Sequence, residues 1–173
     1  MATPSPTFRA GRPADVPALV DLINHAYRSE ASQAGWTTEG HLLDGPRIDA
    51  VTLLDLLAAP PAVLLLAELA GQLAGCVYLE PQGPALYLSM LAVAPAAQAH
   101  GLGRQLLAQA ERQASQAGCA KIKMSVLALR TELLAWYERQ GYRRTGASEP
   151  FPDTTRFGRP RQPLTLLALE KAV

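Results

Sequence analysis

Two glycines in the middle of the chain lie between an apolar run and a segment with helical periodicity. The run ends at Pro95, and residues 98–103 read Gln-Ala-His-Gly-Leu-Gly. The first turn of a helix leaves backbone N–H groups unpaired and carries the positive end of the helix dipole, which suits a phosphate. Gly101 and Gly103 lack Cβ atoms, so a diphosphate could approach the main chain closely. The spacing predicts a phosphate-binding helix start, although a plain tight turn uses the same residues.

Two nucleotide-binding patterns fit this segment poorly. No Lys-Ser or Lys-Thr pair follows the glycines, as the Walker loop requires. Leu106 stands where the third glycine of a GxGxxG fingerprint would lie. A phosphate-loop nucleotide binder is therefore the weakest interpretation, and it predicts affinity for ATP or NAD without any response to coenzyme A.

Apolar periodicity predicts the elements that hold this loop. They are an extended piece at 7–11, a helix from 16 capped by Asp15, a loop or broken helix over 29–46, a helix at 48–58, strands at 63–69, 73–79 and 85–94, a helix from 98 to about 118, a strand at 121–129, a helix at 131–140, a strand from 142, a loop at 146–163 and a strand at 164–169. Three antiparallel strands followed by strand–helix alternation predict a mixed sheet with helices on its faces.

Length and composition place the chain among globular proteins. Its 173 residues are 49% hydrophobic and 18% charged, and the formal net charge is +1. One domain over 1–173 is expected, because this length is typical of a single core. A near-neutral balance gives no reason to expect nucleic acid as a partner.

Cysteine and histidine placement predicts neither a metal site nor disulfides. Cys76 and Cys119 lie far apart and are expected to be small buried thiols, and the histidines have no metal-like spacing. The N-terminus lacks the order of a signal peptide, and no apolar run approaches the ~20 residues that span a bilayer. We therefore expect a cytoplasmic protein without a membrane partner.

Residues 91–107 resemble the acyl-CoA-binding segment of the GNAT superfamily of acetyl-CoA-dependent N-acetyltransferases. That pattern is a strand ending in a V-x-P-like step, then (Q/R)-x-x-G-x-(G/A), then a helix, and Gln98, Gly101 and Gly103 fill it. Downstream, the segment Ala-Trp-Tyr-Glu-Arg-Gln-Gly-Tyr at 135–142 is similar to the family's x-F-Y-x-x-x-G-F helix end, with Tyr137 on the tyrosine. Arg130 departs from the family, because an asparagine often precedes that helix.

The resemblance implies an α/β (α+β mixed) GNAT fold, a single three-layer domain with a mixed, mostly antiparallel sheet of about six to seven strands flanked by helices. It implies acetyl-CoA as cosubstrate and direct attack by a primary amine in a ternary complex. It also implies a bulge that splays the strand at 85–94 from the strand at 121–129. The coenzyme-binding residues expected from it are Leu91, Ala92, Val93, Gln98, Ala99, His100, Gly101, Leu102, Gly103, Arg104 and Tyr137.

Catalytic roles follow from the same resemblance. The backbone of Leu91 is expected to stabilise the oxyanion, and the Tyr137 hydroxyl to protonate the leaving thiolate. Glu39 and Glu80 are the candidate bases, with water held by Tyr87 or Ser89 as an alternative. Aromatic packing of Tyr137 and solvated roles for the polar residues remain open.

The acceptor is not specified by the sequence. Small amines and peptide amines both suit the fold. Trp36 could be an acceptor-side wall or a core anchor, and Arg156, Arg159 and Arg161 could face an anionic substrate or solvent. A non-catalytic acyl-CoA-binding module is the main alternative function. A homodimer through the C-terminal strand is compatible with residues 164–173 but not required by them.

Overall fold

A sheet of seven strands forms the centre of the protein in the computed structural model, which describes residues 5–28 and 38–173. In chain order the elements are β1 (Thr7–Ala10), α1 (Val16–Arg28), β2 (Leu43–Asp44), α2 (Ala50–Leu57), β3 (Val63–Leu69), β4 (Gln72–Gln82), β5 (Ala85–Val93), α3 (Leu102–Gln116), β6 (Lys121–Leu127), α4 (Thr131–Arg139), β7 (Arg143–Pro150), β8 (Arg159–Pro160) and β9 (Thr165–Ala172).

The strand order of the large sheet is β1-β3-β4-β5-β6-β9-β7. Only β5 and β6 run parallel, and every other neighbouring pair is antiparallel. Strands β2 and β8 form a separate two-stranded sheet. The predicted mixed, mostly antiparallel sheet is thus confirmed.

Helices cover both faces of the sheet and give three layers. On one face, α3 and α4 pack with alternate residues of β3 to β6, including Leu65, Val77, Leu88 and Ile122. On the other, α1 and α2 pack with the intervening residues, including Cys76. The alternation of side chains across a strand explains why each strand contributes to both cores.

The strands near the C-terminus differ from the sequence prediction. The loop expected over 146–163 begins with strand β7, which continues to Pro150, and only the following residues form the loop. All eight residues of β7 are exposed. Hydrophobic periodicity cannot reveal such a strand, because its pairing with β9 is made through the backbone.

Helix starts also differ by a few residues. Asp15 ends a short 3₁₀ turn, and its carboxylate accepts from the backbone N–H of Arg12 instead of capping α1. Residues 95–100 form another 3₁₀ turn, so α3 begins at Leu102 and not at Gln98. Tight turns before a helix are common, and apolar periodicity does not distinguish them from the helix itself.

Both cysteines are free and buried, as the sequence predicts. The described residues contain no cluster of three His, Cys, Asp or Glu side chains that could hold a metal. Among the described helices, none combines the length and the apolar character needed to cross a membrane.

Candidate active site

A β-bulge interrupts the central strand β5. Cys76 pairs with Ala92 and Tyr78 pairs with Ser89, so the one intervening residue of β4 faces two residues of β5. Met90 is the extra residue, and its φ of 50° lies in the left-handed region. A bulge bends its strand and changes which residues face each side.

The bulge lies where β5 separates from β6. The parallel pairing of these strands covers only Ala85 to Tyr87 on β5 and ends at Lys123 on β6. Beyond those residues the strands diverge, and the edge of β5 from Leu88 to Leu91 faces a cleft instead of a neighbouring strand. The splayed strands expected from the family resemblance are therefore present.

The cleft forms part of a cavity that we call the sheet pocket, with a volume of about 340 Å³. It passes between β5 and β6, because its walls include Leu88 and Met124 from one face of the sheet and Ser89 and Ser125 from the other. Tyr137 of α4 lies at the end of the pocket on the α4 side.

A second cavity, the α3–α4 pocket, lies over the start of α3. Its walls come from the end of β5, from residues 98–103, which we call the glycine segment, and from α3 and α4. The lining residues are Val93, Gln98, His100, Gly101, Gly103, Arg104, Glu132, Ala135, Trp136, Arg139 and Gln140. Leu91 lines the sheet pocket and Val93 lines the α3–α4 pocket. The end of β5 therefore borders both cavities.

The glycine segment is shaped by Gly101. Its φ of 72° lies in the left-handed region, and it is the residue before the first turn of α3. A glycine adopts this conformation without the penalty that a Cβ imposes. Gln98 fastens the preceding turn to the strand, since its Nε2 donates to the Val93 carbonyl at 3.2 Å.

Gly103 lies where α3 approaches α4. A Cβ on Gly103 would lie 3.5 Å from Trp136 Cζ2 and 3.8 Å from Val93 Cγ2, both in walls of the α3–α4 pocket. Gly103 therefore places no side chain of its own between the first helical turn and the pocket. Such a surface of N–H groups without a Cβ fits an anionic group at the helix start.

Tyr137 is buried in a small aromatic cluster. Its ring lies edge-to-face with Trp136 at 5.0 Å and with Tyr142 at 5.8 Å between centroids. Burial raises the pKa of Tyr137 well above the usual tyrosine value. The hydroxyl is therefore protonated at neutral pH and can act as a donor.

Tyr27, which the sequence analysis did not select, fixes the bulge. Its hydroxyl donates to the Leu91 carbonyl at 2.5 Å, in a buried bond between residues 64 positions apart. Because the Leu91 carbonyl is held in this way, the orientation of its peptide plane is defined. Helical periodicity assigned Tyr27 only to the apolar face of α1, and no sequence signal indicates its hydroxyl.

Glu39 takes part in a buried ion-pair network. Its carboxylate lies 3.3 Å from Arg28 Nη2 and 3.3 Å from Arg130 Nη1, and the side chain is 12% exposed. Arg130, noted above as a departure from the family, precedes α4 and is 6% exposed, so its pairing with Glu39 is buried. Glu39 lines the sheet pocket but is already matched by two cations.

Glu80 has a different environment. It pairs across the sheet with Tyr87, lines the sheet pocket, and accepts a hydrogen bond from the neutral amide of Gln82 at 3.1 Å. Burial raises the pKa of Tyr87, whose hydroxyl is hydrogen-bonded to Ser125. A row of polar groups therefore follows β5 and β6 on the α1 side of the cleft.

Other predicted residues lie further from the cavities. The side chains of Ala92 and Leu102 are buried in the two cores, so a ligand could meet them only through their backbone. Arg156, Arg159 and Arg161 are exposed and do not line the sheet pocket. Arg161 pairs with Asp44. Trp36 lies outside the described residues.

Comparisons with known proteins agree with this geometry. The family model "Acetyltransferase (GNAT) family" matches residues 18–142. No curated protein sequence matches the chain. Among solved structures, the chain is similar to a ribosomal-protein-alanine N-acetyltransferase from Brucella melitensis, with 24% identity, 96% of this chain and 99% of that chain covered, and a TM-score of 0.70.

Two further structures share the fold. The ribosomal-protein-S18-alanine N-acetyltransferase from Escherichia coli has 18% identity, coverage of 98% of this chain and 94% of that chain, and a TM-score of 0.71. The protein yncA from Salmonella typhimurium, solved with its cofactor acetyl-CoA, has 21% identity, coverage of 97% and 94%, and a TM-score of 0.69. At these identities the likeness shows the fold.

Proposed function

The chain belongs to the GNAT family of acetyltransferases, and we propose that it is an N-acetyltransferase that transfers the acetyl group of acetyl-CoA directly to a primary amine. Family membership and the neighbour solved with acetyl-CoA support this thioester as the cosubstrate. The acceptor amine enters from the α1 side of the sheet, and both substrates are present together.

One observation carries the proposal: two cavities of different character border the bulged end of β5. The α3–α4 pocket offers backbone N–H groups at a helix start, and the sheet pocket offers polar side chains. A phosphate-bearing acyl donor fits the first, and an amine fits the second. Leu91 and Val93 lie between them, where the thioester would have to be placed.

The residues of the glycine segment suit the diphosphate of coenzyme A. Gly101 and Gly103 place no side chain over the helix start, while His100 and Arg104 are exposed and line the α3–α4 pocket. Arg104 adds positive charge beside the helix dipole, which favours an anion further. Gln98 acts through its bond to Val93, which holds the segment against β5.

The backbone at the bulge provides the electrostatic stabilisation. When the amine attacks the carbonyl carbon, the carbonyl oxygen becomes an oxyanion that needs N–H donors. The Leu91 peptide is the proposed donor, because the bulge separates this edge of β5 from β6 and Tyr27 fixes the neighbouring carbonyl. A preorganised donor of this kind typically contributes about 10²–10³-fold in rate.

Tyr137 is the proposed general acid. As the C–S bond breaks, the departing thiolate takes a proton, and the Tyr137 hydroxyl lies at the α4 end of the cleft. Burial keeps this hydroxyl protonated, which maintains the donor before each turnover.

Glu80 is the proposed base, directly or through water held by Tyr87 or Ser89. An alkylamine is mostly protonated at neutral pH and must lose a proton before attack. Of the two carboxylates considered, Glu80 accepts only a neutral amide among its described partners, whereas Glu39 already pairs with two arginines. Glu39 is therefore assigned to holding Arg28 and Arg130 in place.

Amine-dependent release of thiol from acetyl-CoA tests the proposal. A thiol reagent would be used to follow reactions containing the protein, acetyl-CoA and a panel of amines, with calorimetry of acetyl-CoA binding in parallel. Thiol appearing only when an amine is present supports transfer. Binding without thiol release from any amine would instead identify an acyl-CoA-binding module, and no binding would refute both.

Cytoplasmic location and a homodimer remain predictions for this proposed enzyme. Size-exclusion chromatography with light scattering would test the second directly. The C-terminal strand β9, expected above as the contact, has no free edge because it pairs with β6 on one side and β7 on the other. The exposed strand β7 lies at the edge of the sheet instead and offers unpaired backbone groups for such a contact.

A further inference from the structure

Two arginines that the sequence analysis did not select line the sheet pocket. Arg28 is the last residue of α1, and Arg47 precedes α2. Arg47 is stacked between two aromatic rings, with its Cζ 5.7 Å from the Tyr27 centroid and 5.2 Å from the Phe157 centroid. This stacking fixes the guanidinium plane within the pocket wall.

Each of these arginines has one buried N–H group without a partner. Arg47 Nη1 and Arg28 Nε are shielded from solvent and make no hydrogen bond to the part of the chain that the structure describes. The Arg28 side chain is 7% exposed. Buried guanidinium donors are nearly always paired, so two unpaired ones on arginines that line one cavity leave this wall of the pocket short of acceptor oxygens.

The local charge balance favours an anion at the same place. Glu39 is shared by Arg28 and Arg130, and Arg47 forms no ion pair with any described residue. Arg47 lies close enough to Arg28 to disfavour its charge, so that burial, together with Arg47, lowers the pKa of Arg28. A carboxylate bound beside Arg47 and Arg28 would supply a negative charge next to Arg47 and offset this repulsion.

Tyr27 contacts both Arg47 and the proposed reaction centre. Its ring carries Arg47 on one side, and its hydroxyl donates to the Leu91 carbonyl at the bulge. An anion bound by Arg47 would therefore be separated from the Leu91 peptide, the proposed oxyanion donor, by the Tyr27 ring. Glu80 and Glu149 also line the sheet pocket and, like Arg47, lie near Tyr87.

We propose that the acceptor is a small amino carboxylate, whose carboxylate binds Arg47 and Arg28 while its amine faces the cleft between β5 and β6. This inference rests on the proposed acetyl transfer and narrows its substrate class. A pocket of about 340 Å³ suits a molecule of amino-acid size. Its apolar walls, which include Leu56, Phe151 and Leu166, favour an apolar side chain.

Matched amines test the proposal on the wild-type protein. The panel would contain the standard amino acids, β-alanine and γ-aminobutyrate, each compared with its carboxamide and its decarboxylated amine, together with a peptide bearing a free N-terminus. We expect at least one amino carboxylate to have kcat/KM at least tenfold above both of its matched amines. The amine of a carboxamide loses its proton more readily, so amine reactivity alone would favour the carboxamide. A preference for the carboxylate would therefore reflect binding of the carboxylate group.

Arg47→Gln should remove the preference. The variant should raise KM for the preferred amino carboxylate about 10- to 100-fold, so that the ratio of its kcat/KM to that of its decarboxylated amine falls towards one. Arg156→Gln is the matched control, because Arg156 lies 5.6 Å over the same Phe157 ring but is 46% exposed and does not line the sheet pocket. It should leave both parameters unchanged.

A binding measurement separates failure of this inference from failure of the proposed activity. Each amino carboxylate and its carboxamide would be titrated calorimetrically into the protein saturated with coenzyme A. Selective binding of a carboxylate that is lost in Arg47→Gln supports the inference even without turnover. Equal use or binding of carboxylates and carboxamides, preference for the peptide, or no binding by any amino carboxylate would overturn it.

Discussion

Replacing Gly103 with alanine separates the two roles that this glycine could have. Gly103 lies in the first turn of α3, and its φ is not in the left-handed region. The added Cβ would make ordinary van der Waals contacts with Trp136 at 3.5 Å and 3.6 Å. Alanine should therefore be accommodated in the folded protein without displacing any neighbour.

The expected change in stability is small and favourable. Glycine-to-alanine substitution at a compatible position stabilises by about 0.4–1 kcal/mol, through the reduced entropy of the unfolded chain. For a protein of this size that corresponds to a rise in Tm of roughly 1–4 °C. If Gly103 served only helix packing, the variant would simply be as stable as the wild type or more so.

The expected change in coenzyme binding has the opposite sign. A methyl group at this position projects into the α3–α4 pocket, where close approach of a diphosphate to the backbone is proposed. We expect acetyl-CoA to bind at least about tenfold more weakly, or ~1.4 kcal/mol. Calorimetric titration gives the affinity, and thermal unfolding without ligand gives the stability.

Gly118→Ala provides the control. Gly118 has a φ of 72° at the other end of α3, and nothing lies within 4 Å of its hypothetical Cβ. The substitution should cost about 1–2 kcal/mol of stability through backbone strain, yet leave acetyl-CoA affinity unchanged. Unchanged acetyl-CoA affinity in Gly103→Ala would refute the proposed binding of the diphosphate to the backbone at the start of α3.

Three other substitutions test the remaining roles. Tyr137→Phe should lower kcat by about 10²–10⁴-fold with little change in acetyl-CoA affinity, and equal kcat values would remove it as the proton donor. Tyr27→Phe removes the donor to the buried Leu91 carbonyl. The variant should therefore lower kcat, measured by steady-state kinetics. It should also lower the free energy of unfolding by about 1–3 kcal/mol, measured by denaturant unfolding. Glu80→Gln should lower kcat/KM at neutral pH and recover towards wild type as rising pH deprotonates the amine, while a pH profile identical to that of the wild type would exclude Glu80 as the base.

The glycine segment and the layers of the fold could be predicted because their signals are local. The residue order around Gly101 is readable along the chain, and alternation in β3 to β6 reflects burial on two faces. Strand β7 could not be predicted in the same way, since its exposed side chains carry no periodicity. Its position depends on pairing with β9, which is a tertiary contact.

The acceptor side was harder to predict because its residues converge from distant segments. Arg47 and Phe157 are 110 positions apart in number, and their stacking exists only after β8 pairs with β2. The clustered arginines of the 151–163 loop indicate a possible anion-binding site, whereas Arg28 and Arg47 stand singly in the sequence and give no such signal. Burial, rather than local charge density, distinguishes the arginines that line the pocket.

A crystal structure of the protein with acetyl-CoA tests the central claim most directly. We expect the diphosphate to accept hydrogen bonds from the backbone at the start of α3, and the thioester to lie between β5 and β6 within reach of Leu91 N–H and the Tyr137 hydroxyl. A bound coenzyme that leaves the α3 start unoccupied, or places its thioester away from the cleft between the two strands, would contradict it.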